Sequence, residues 1–187
     1  ADHVRLGHRV TAVTEGDGSV TLSGDGFSVL AERGVLTLPP RLLRGVGLSV
    51  PDMPTWMAGH AKLVAVYDSP FWRAAGLNGD AISHRGPLAE IHDATPADGT
   101  RGALFGFALP GAAGRPGFRD AALAQLTRLF GDRAADPEAA HVMDWSADPN
   151  TATDADRHPP SHHPTYRPIP SAGWLIFAGT ETAPDEG

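Results

Sequence analysis

Lys62 is the single lysine among fifteen basic residues, the other fourteen being arginine. It lies inside the apolar run Ala61-Lys62-Leu63-Val64-Ala65-Val66-Tyr67. A compact ammonium on a flexible stem can lose its charge on burial and hand protons to water, which a planar, permanently charged guanidinium cannot do. The run reads as a β-strand, so the amine is expected to meet a cavity or a partner. The bland alternative is a lysine pointing off a sheet edge. His60, just outside the run, is assigned to the opposite sheet face.

A second candidate is the ending Phe177-Ala178-Gly179-Thr180-Glu181-Thr182-Ala183. An apolar strand followed by glycine and small hydroxyl residues at a helix start turns backbone N–H groups toward an anion, and the helix dipole favours phosphate there. A plain threonine cap would look similar. The third is His158, His162 and His163 beside Asp154 and Asp156. No ligand spacing organises them and Pro159-Pro160 interrupts the segment, so a solvated loop is expected and no metal. The absence of cysteine excludes disulfides, thiol catalysis and thioether-linked cofactors. No carboxylate pair lies in an apolar context and no Gly-x-Ser-x-Gly elbow is present. A net charge of −7 without a basic stripe disfavours nucleic acid and anionic membranes as partners. No apolar stretch reaches membrane-spanning length, and a cytoplasmic location is the default expectation.

These residues need elements to hold them. Residues 3 to 31 read as a β-meander turning at Gly16-Asp17-Gly18 and Gly24-Asp25-Gly26. Gly34 to Leu38, ended by Pro39-Pro40, fits a fully buried parallel strand, and Arg41 to Val46 a helical turn. Trp56 to Gly59 suits a short helix before the lysine strand. Ala81 to His84, Ala89 to His92 and Ala103 to Leu109 suggest antiparallel strands, and His141 to Trp145 one more. Phe118 to Phe130 has helical periodicity, with Phe118, Ala122, Leu126, Leu129 and Phe130 on one face and Gly131 as the stop. Residues 147 to 173, rich in proline, read as a long ordered loop. Trp174 to Ala178 is the last strand.

The strand plus Ala178-Gly179-Thr180-Glu181-Thr182-Ala183 resembles the C-terminal flavin motif of the flavin-containing monoamine oxidase family. An ordered set of further matches spans nearly the whole chain: the Val4 strand, Leu36-Thr37-Leu38-Pro39-Pro40, Gly59-His60-Ala61-Lys62, Tyr67, Pro70-Phe71-Trp72-Arg73, Ala103-Leu104-Phe105-Gly106-Phe107, Leu129-Phe130-Gly131 and Asp144-Trp145. The resemblance implies FAD, held without a covalent bond in the complete enzyme, and an amine substrate oxidised to an imine with oxygen as acceptor. It implies that Lys62 holds a water against flavin N5, and that the backbone of Val4 meets the adenine. Gly179, Thr180 and Glu181 would pass the ribityl and pyrophosphate region, and Trp145 would lie near the isoalloxazine edge. Phe71-Trp72-Arg73 is read as a structural aromatic pair beside an ion-pairing arginine.

Two departures stand out. The family's glycine-rich segment should fall near residues 152 to 155, where this chain has Ala152-Thr153-Asp154-Ala155, without the cysteine of a covalent flavin or a cage aromatic. Tyr166 is the remaining candidate for a substrate-facing ring. No Gly-x-Gly-x-x-Gly fingerprint appears either. The start at Ala1 and the end at Gly187 are therefore read as cut from something longer, with an N-terminal FAD-binding half missing. The expected fold class is α+β or α/β: incomplete Rossmann-like FAD-binding pieces at 1–54 and 148–187, and a mixed-sheet substrate domain with flanking helices at 55–147. A homodimer is allowed. A different class of function, a non-catalytic binding or subunit module that pairs with a separate FAD-binding chain, remains open at this point.

Overall fold

A computed structural model describes residues 3–51, 53, 58–109, 111–158, 173–179 and 181. The chain divides into two compact units, one formed by Ala1–Trp56 with Pro149–Gly187 and the other by Met57–Asp148. Each has its own apolar core. Among the described residues no helix is long and apolar enough to cross a membrane.

The first unit opens with an antiparallel meander, β1 (Val10–Gly16), β2 (Ser19–Gly24) and β3 (Phe27–Ala31). Gly18 and Gly26, both at positive φ, make its two tight turns. The expected strand at Val4 is absent: Val4 lies before β1 and is 69% exposed. β4 (Gly34–Leu36) pairs in parallel with β10 (Leu175–Phe177), so two segments from opposite ends of the sequence form one ladder. The Glu15 carboxylate accepts from the Trp174 N–H at 3.1 Å and ties the start of β10 to β1. The run after Gly34 is not fully buried. Gly34 and Leu36 face the core while Val35 is 60% exposed, because a strand alternates its faces even when every residue is apolar. Pro40 opens α1 (Pro40–Leu43), where its missing N–H costs nothing, and a 3₁₀ turn over Arg44–Val46 ends at Gly47. Leu43, Val46, Val50 and Met53 complete this core with Val13, Val20 and Leu175.

The second unit is a five-stranded antiparallel sheet in the order β6-β7-β8-β5-β9, covered on one face by α3. Its strands are β5 (Ala61–Tyr67), β6 (Ala81–Ile82), β7 (Leu88–Asp93), β8 (Gly102–Ala108) and β9 (Ala139–Asp144). α3 (Phe118–Phe130) buries Phe118, Ala122, Leu126 and Phe130 as its periodicity predicts, and Gly131 at φ 95° ends it. Gln125 is also fully buried, which an apolar-stripe reading passes over. Its amide closes on both backbone groups of Leu88, accepting from Leu88 N–H at 2.9 Å and donating to Leu88 C=O at 2.7 Å. α2 (Phe71–Ala74) brings Phe71 and Trp72 against Tyr67. The expected helix at Trp56 to Gly59 falls largely outside the described residues.

Candidate active site

The alternation of β5 decides what Lys62 meets. Ala61, Leu63, Ala65 and Tyr67 are buried toward α3, whereas Lys62, Val64 and Val66 are half-buried on the opposite face. Pairing then sets the neighbours: Lys62 stands opposite Phe107 of β8 and Met143 of β9, and Val64 opposite Phe105. The Lys62 Nζ lies 5.0 Å from the centroid of the Phe107 ring and 5.4 Å from that of Phe105. Both separations are within cation–π range. No carboxylate pairs with Lys62 among the described residues. Gly106, between Phe105 and Phe107, leaves room for Leu88 on the core face, where a Cβ would come within 2.8 Å of Leu88 Cδ1.

The face continues across β7. Glu90 is opposite Phe107 and His92 opposite Phe105. The His92 imidazole stacks on Phe105 at 6.1 Å and 27°, and its nitrogens approach Asp80 at 3.3 Å and Glu90 at 3.7 Å. His60 does not point to the other face: its ring meets Phe107 edge-on at 6.3 Å, the same ring that Lys62 overlies. Residues two apart on a strand share a face, so His60 goes with Lys62. Trp145 is half-buried at the end of the neighbouring strand, and its N–H donates to the His60 carbonyl at 3.2 Å. The Trp145 backbone therefore lies at the end of β5 where Lys62 sits, two residues beyond Met143, the partner of Lys62. Asp144 caps the turn at Trp145–Ala147, accepting from Ser146 N–H and Oγ–H.

Under the other face, the Tyr67 phenol donates to the Ala134 carbonyl, and burial pushes its pKa up to about 12. Asp93 accepts from Trp72 Nε1–H, Arg73 Nε–H and Thr95 N–H. Burial alone would raise its pKa, but these hydrogen bonds outweigh it and hold the carboxyl at about 2. The aromatic pair and its arginine thus form a structural node away from Lys62.

In the first unit, Gly179 and Glu181 follow the carboxyl end of β10. Glu181 is buried, and a Cβ on Gly179 would fill the space between Glu181 Oε2 at 3.6 Å and the Thr37 carbonyl at 3.8 Å. A pocket of about 470 Å³ is lined by Arg9, Thr11, Val35, Thr37, Leu38 and Asn150, among others. The carboxyl ends of parallel strands are where α/β sheets take nucleotide ligands. The pocket is largely apolar with Arg9 at its lining, and Thr37, whose carbonyl faces Gly179, belongs to it as well. Residues 152 to 157 adopt a turn in place of the family's glycine-rich segment. Thr153 and Asp156 cap it reciprocally, and the almost fully buried Asp156 forms an ion pair with Arg41. Asp156 is thereby committed, Asp154 pairs with Arg157, and no group of three metal-ligating side chains occurs among the described residues. Thr180 and Tyr166, together with His162 and His163, lie outside the described residues.

Sequence reasoning picked out Lys62 but missed Phe105 and Phe107 as the rings under it, and His92 beside those rings. Alternation in Gly102–Ala108 does place both phenylalanines on one face. What it lacks is the register that brings that face under Lys62.

Comparison with known proteins gives these residues a family context. The chain is 33% identical over 150 residues to the protein of Mycobacterium tuberculosis (strain ATCC 25618 / H37Rv) named as a flavin-containing monoamine oxidase, AofH, covering 72% of this chain and 32% of that protein. It is 32% identical over 96 residues to putrescine oxidase of Kocuria rosea, covering 47% of this chain and 20% of that enzyme. It thus spans a third or less of the length of these relatives. Among solved structures, cyclohexylamine oxidase from Brevibacterium oxydans IH-35A shares the fold with a TM-score of 0.68 at 23% identity, over 97% of this chain and 44% of that one. Putrescine oxidase bound to putrescine shares it with a TM-score of 0.64 at 24% identity, over 95% and 43%. The family model for flavin-containing amine oxidoreductases matches residues 1–186. From one end to the other, the chain belongs to the flavin-containing amine oxidoreductase family, whose cofactor is FAD.

Proposed function

We propose that this chain is the C-terminal part of an FAD-dependent amine oxidase that converts an amine to an imine with oxygen as acceptor. In this reading residues 1–54 and 148–187 contribute to the FAD-binding domain and residues 55–147 form the substrate domain. The observation that carries it is the sole lysine on a strand face, its ammonium over two aromatic rings. An ammonium held this way keeps its three N–H donors for water or a reactant.

The chemistry FAD supplies when bound is two-electron acceptance: the neutral amine gives hydride from its α-carbon, leaving an imine that water hydrolyses, and oxygen becomes hydrogen peroxide. The protein's part is placement and proton handling. Lys62 would hold a water beside the bound flavin and offer it a proton. Trp145, tied through its N–H to His60, closes the same end of the sheet. An apolar pocket around the substrate would favour a neutral amine over an ammonium, which cannot release hydride readily. Gly179, Thr180 and Glu181 meet the ribityl and pyrophosphate part without a covalent link, and the Val4 backbone and the Tyr166 ring are the further contacts proposed for adenine and substrate.

The expected outcome for Lys62→Met in the full-length, flavin-loaded enzyme is a reoxidation by oxygen slowed by about tenfold or more, with reduction by amine much less affected. Stopped-flow absorbance of the two half-reactions measures it, and unchanged reoxidation would remove Lys62 from the mechanism. The 187-residue chain alone is expected to bind FAD weakly and oxidise no amine, because its sequence holds no dinucleotide fingerprint. A yellow, active preparation of it would overturn that part.

A further inference from the structure

Lysine on a strand has a long, freely rotating stem, and something must decide where its nitrogen rests. The face around Lys62 carries a layered arrangement of aromatic rings. The Phe105 and Phe107 rings meet edge to face at 4.7 Å and 70°, and the Lys62 Nζ lies over both. His92 lies stacked on Phe105 and edge-on to Phe107 at 6.5 Å. Asp80 lies within hydrogen-bond distance of its Nδ1 at 3.3 Å, while the Glu90 carboxylate stands farther off, 3.7 Å from Nε2. Strand pairing places all of these residues except Asp80 and His60 on adjacent rungs, and His60 closes the far side of Phe107.

We propose that Phe105 and Phe107 are positioning residues that seat the Lys62 ammonium, and that His92, held at Nδ1 by Asp80, fixes the ring of Phe105 on which the seat depends. Ring faces carry negative potential, so a cation settles over them without a carboxylate that would neutralise it. The seat therefore localises the amine while leaving its N–H donors available. A carboxylate partner would consume at least one donor and lock the stem in another direction. The consequence for catalysis rests on the reading of Lys62 given above; the seat itself does not.

The test uses two readouts on the flavin-loaded full-length enzyme. One is the rate of Lys62 acetylation by acetic anhydride, mapped by peptide mass, which is independent of turnover. The other is flavin reoxidation by oxygen. Removing both rings in Phe105→Leu/Phe107→Leu is expected to raise Lys62 labelling about threefold or more and to slow reoxidation by about tenfold, the order expected from losing two cation–π contacts. His92→Gln moves both readouts in the same direction by a smaller factor, and the ring-retaining Phe105→Tyr returns both toward the parent. If the double variant does not fold, the single variants Phe105→Leu and His92→Gln carry the same readouts. Labelling unchanged on loss of the rings in a folded variant overturns the seat, whatever Lys62→Met does. Labelling that responds while Lys62→Met leaves reoxidation unchanged upholds the seat and sinks the catalytic reading instead.

Discussion

At Asp93, three N–H groups from two directions converge on one carboxylate, and the consequence is a testable pH dependence. Its folded pKa of about 2 lies below its ordinary value of 3.8. A carboxyl whose pKa falls on folding stabilises the fold above the ordinary value, and that contribution is lost as pH drops from about 4 toward 2. Thermal unfolding followed from about pH 5 to about pH 2 should therefore show a steeper decline in the parent than in Asp93→Asn. The variant should start from a lower midpoint. Parallel curves for the two proteins would contradict the assignment. The same scale shows what a sequence can and cannot announce. Phe71-Trp72-Arg73 reads as a packed pair beside an ion-pairing arginine, and the structure agrees, with Trp72 fully buried and Arg73 2.8 Å from Asp93. Asp93 as the partner is not legible, since it comes from a strand twenty residues on.

The elements follow largely from local pattern. The meander, the helix over Phe118–Phe130 and the antiparallel set around β7 and β8 all arise where alternation or 3.6-residue periodicity is uninterrupted. Two failures have one cause. Val35 is exposed and His60 joins the Lys62 face because strand alternation continues through apolar composition and past the end of a run. Gln125 is a third case, a polar residue on the buried side of α3. β7 has a register shift between Leu88 and Glu90, and the Gln125 amide serves both backbone groups of Leu88 there. Gln125→Leu should leave that N–H and carbonyl buried without a partner, at about 1–3 kcal/mol for each group. Urea unfolding followed by tryptophan fluorescence would measure the loss. A variant as stable as the parent would mean that water replaces the amide.

At the scale of the whole chain, the first unit is completed by segments distant in sequence. β4 and β10 pair across the intervening second unit, and Arg41 meets Asp156 from 115 residues away. Asp156 also accepts from Thr153 N–H and Oγ1–H, both at 2.8 Å, so one carboxylate fastens the returning chain to α1. Asp156→Ala should cost at least about 2 kcal/mol, because it removes an almost fully buried carboxylate that pairs with Arg41 and accepts from Thr153. Faster amide exchange near Thr153 would accompany it, and a change well below that in the unfolding free energy would show the tie to be dispensable. The sequence by itself determined the family, through an ordered series of short motifs, and the existence of most strands and of α3, through periodicities local to the chain. Only the tertiary structure decided that Phe105 and Phe107 lie under Lys62 with His92 beside those rings, that Val4 lies outside any strand, and that Asp156 is bound to Arg41. Periodicity says which residues share a face of one strand. Which faces meet is set by pairing register and by contacts between remote segments, and these depend on the packing of the whole chain.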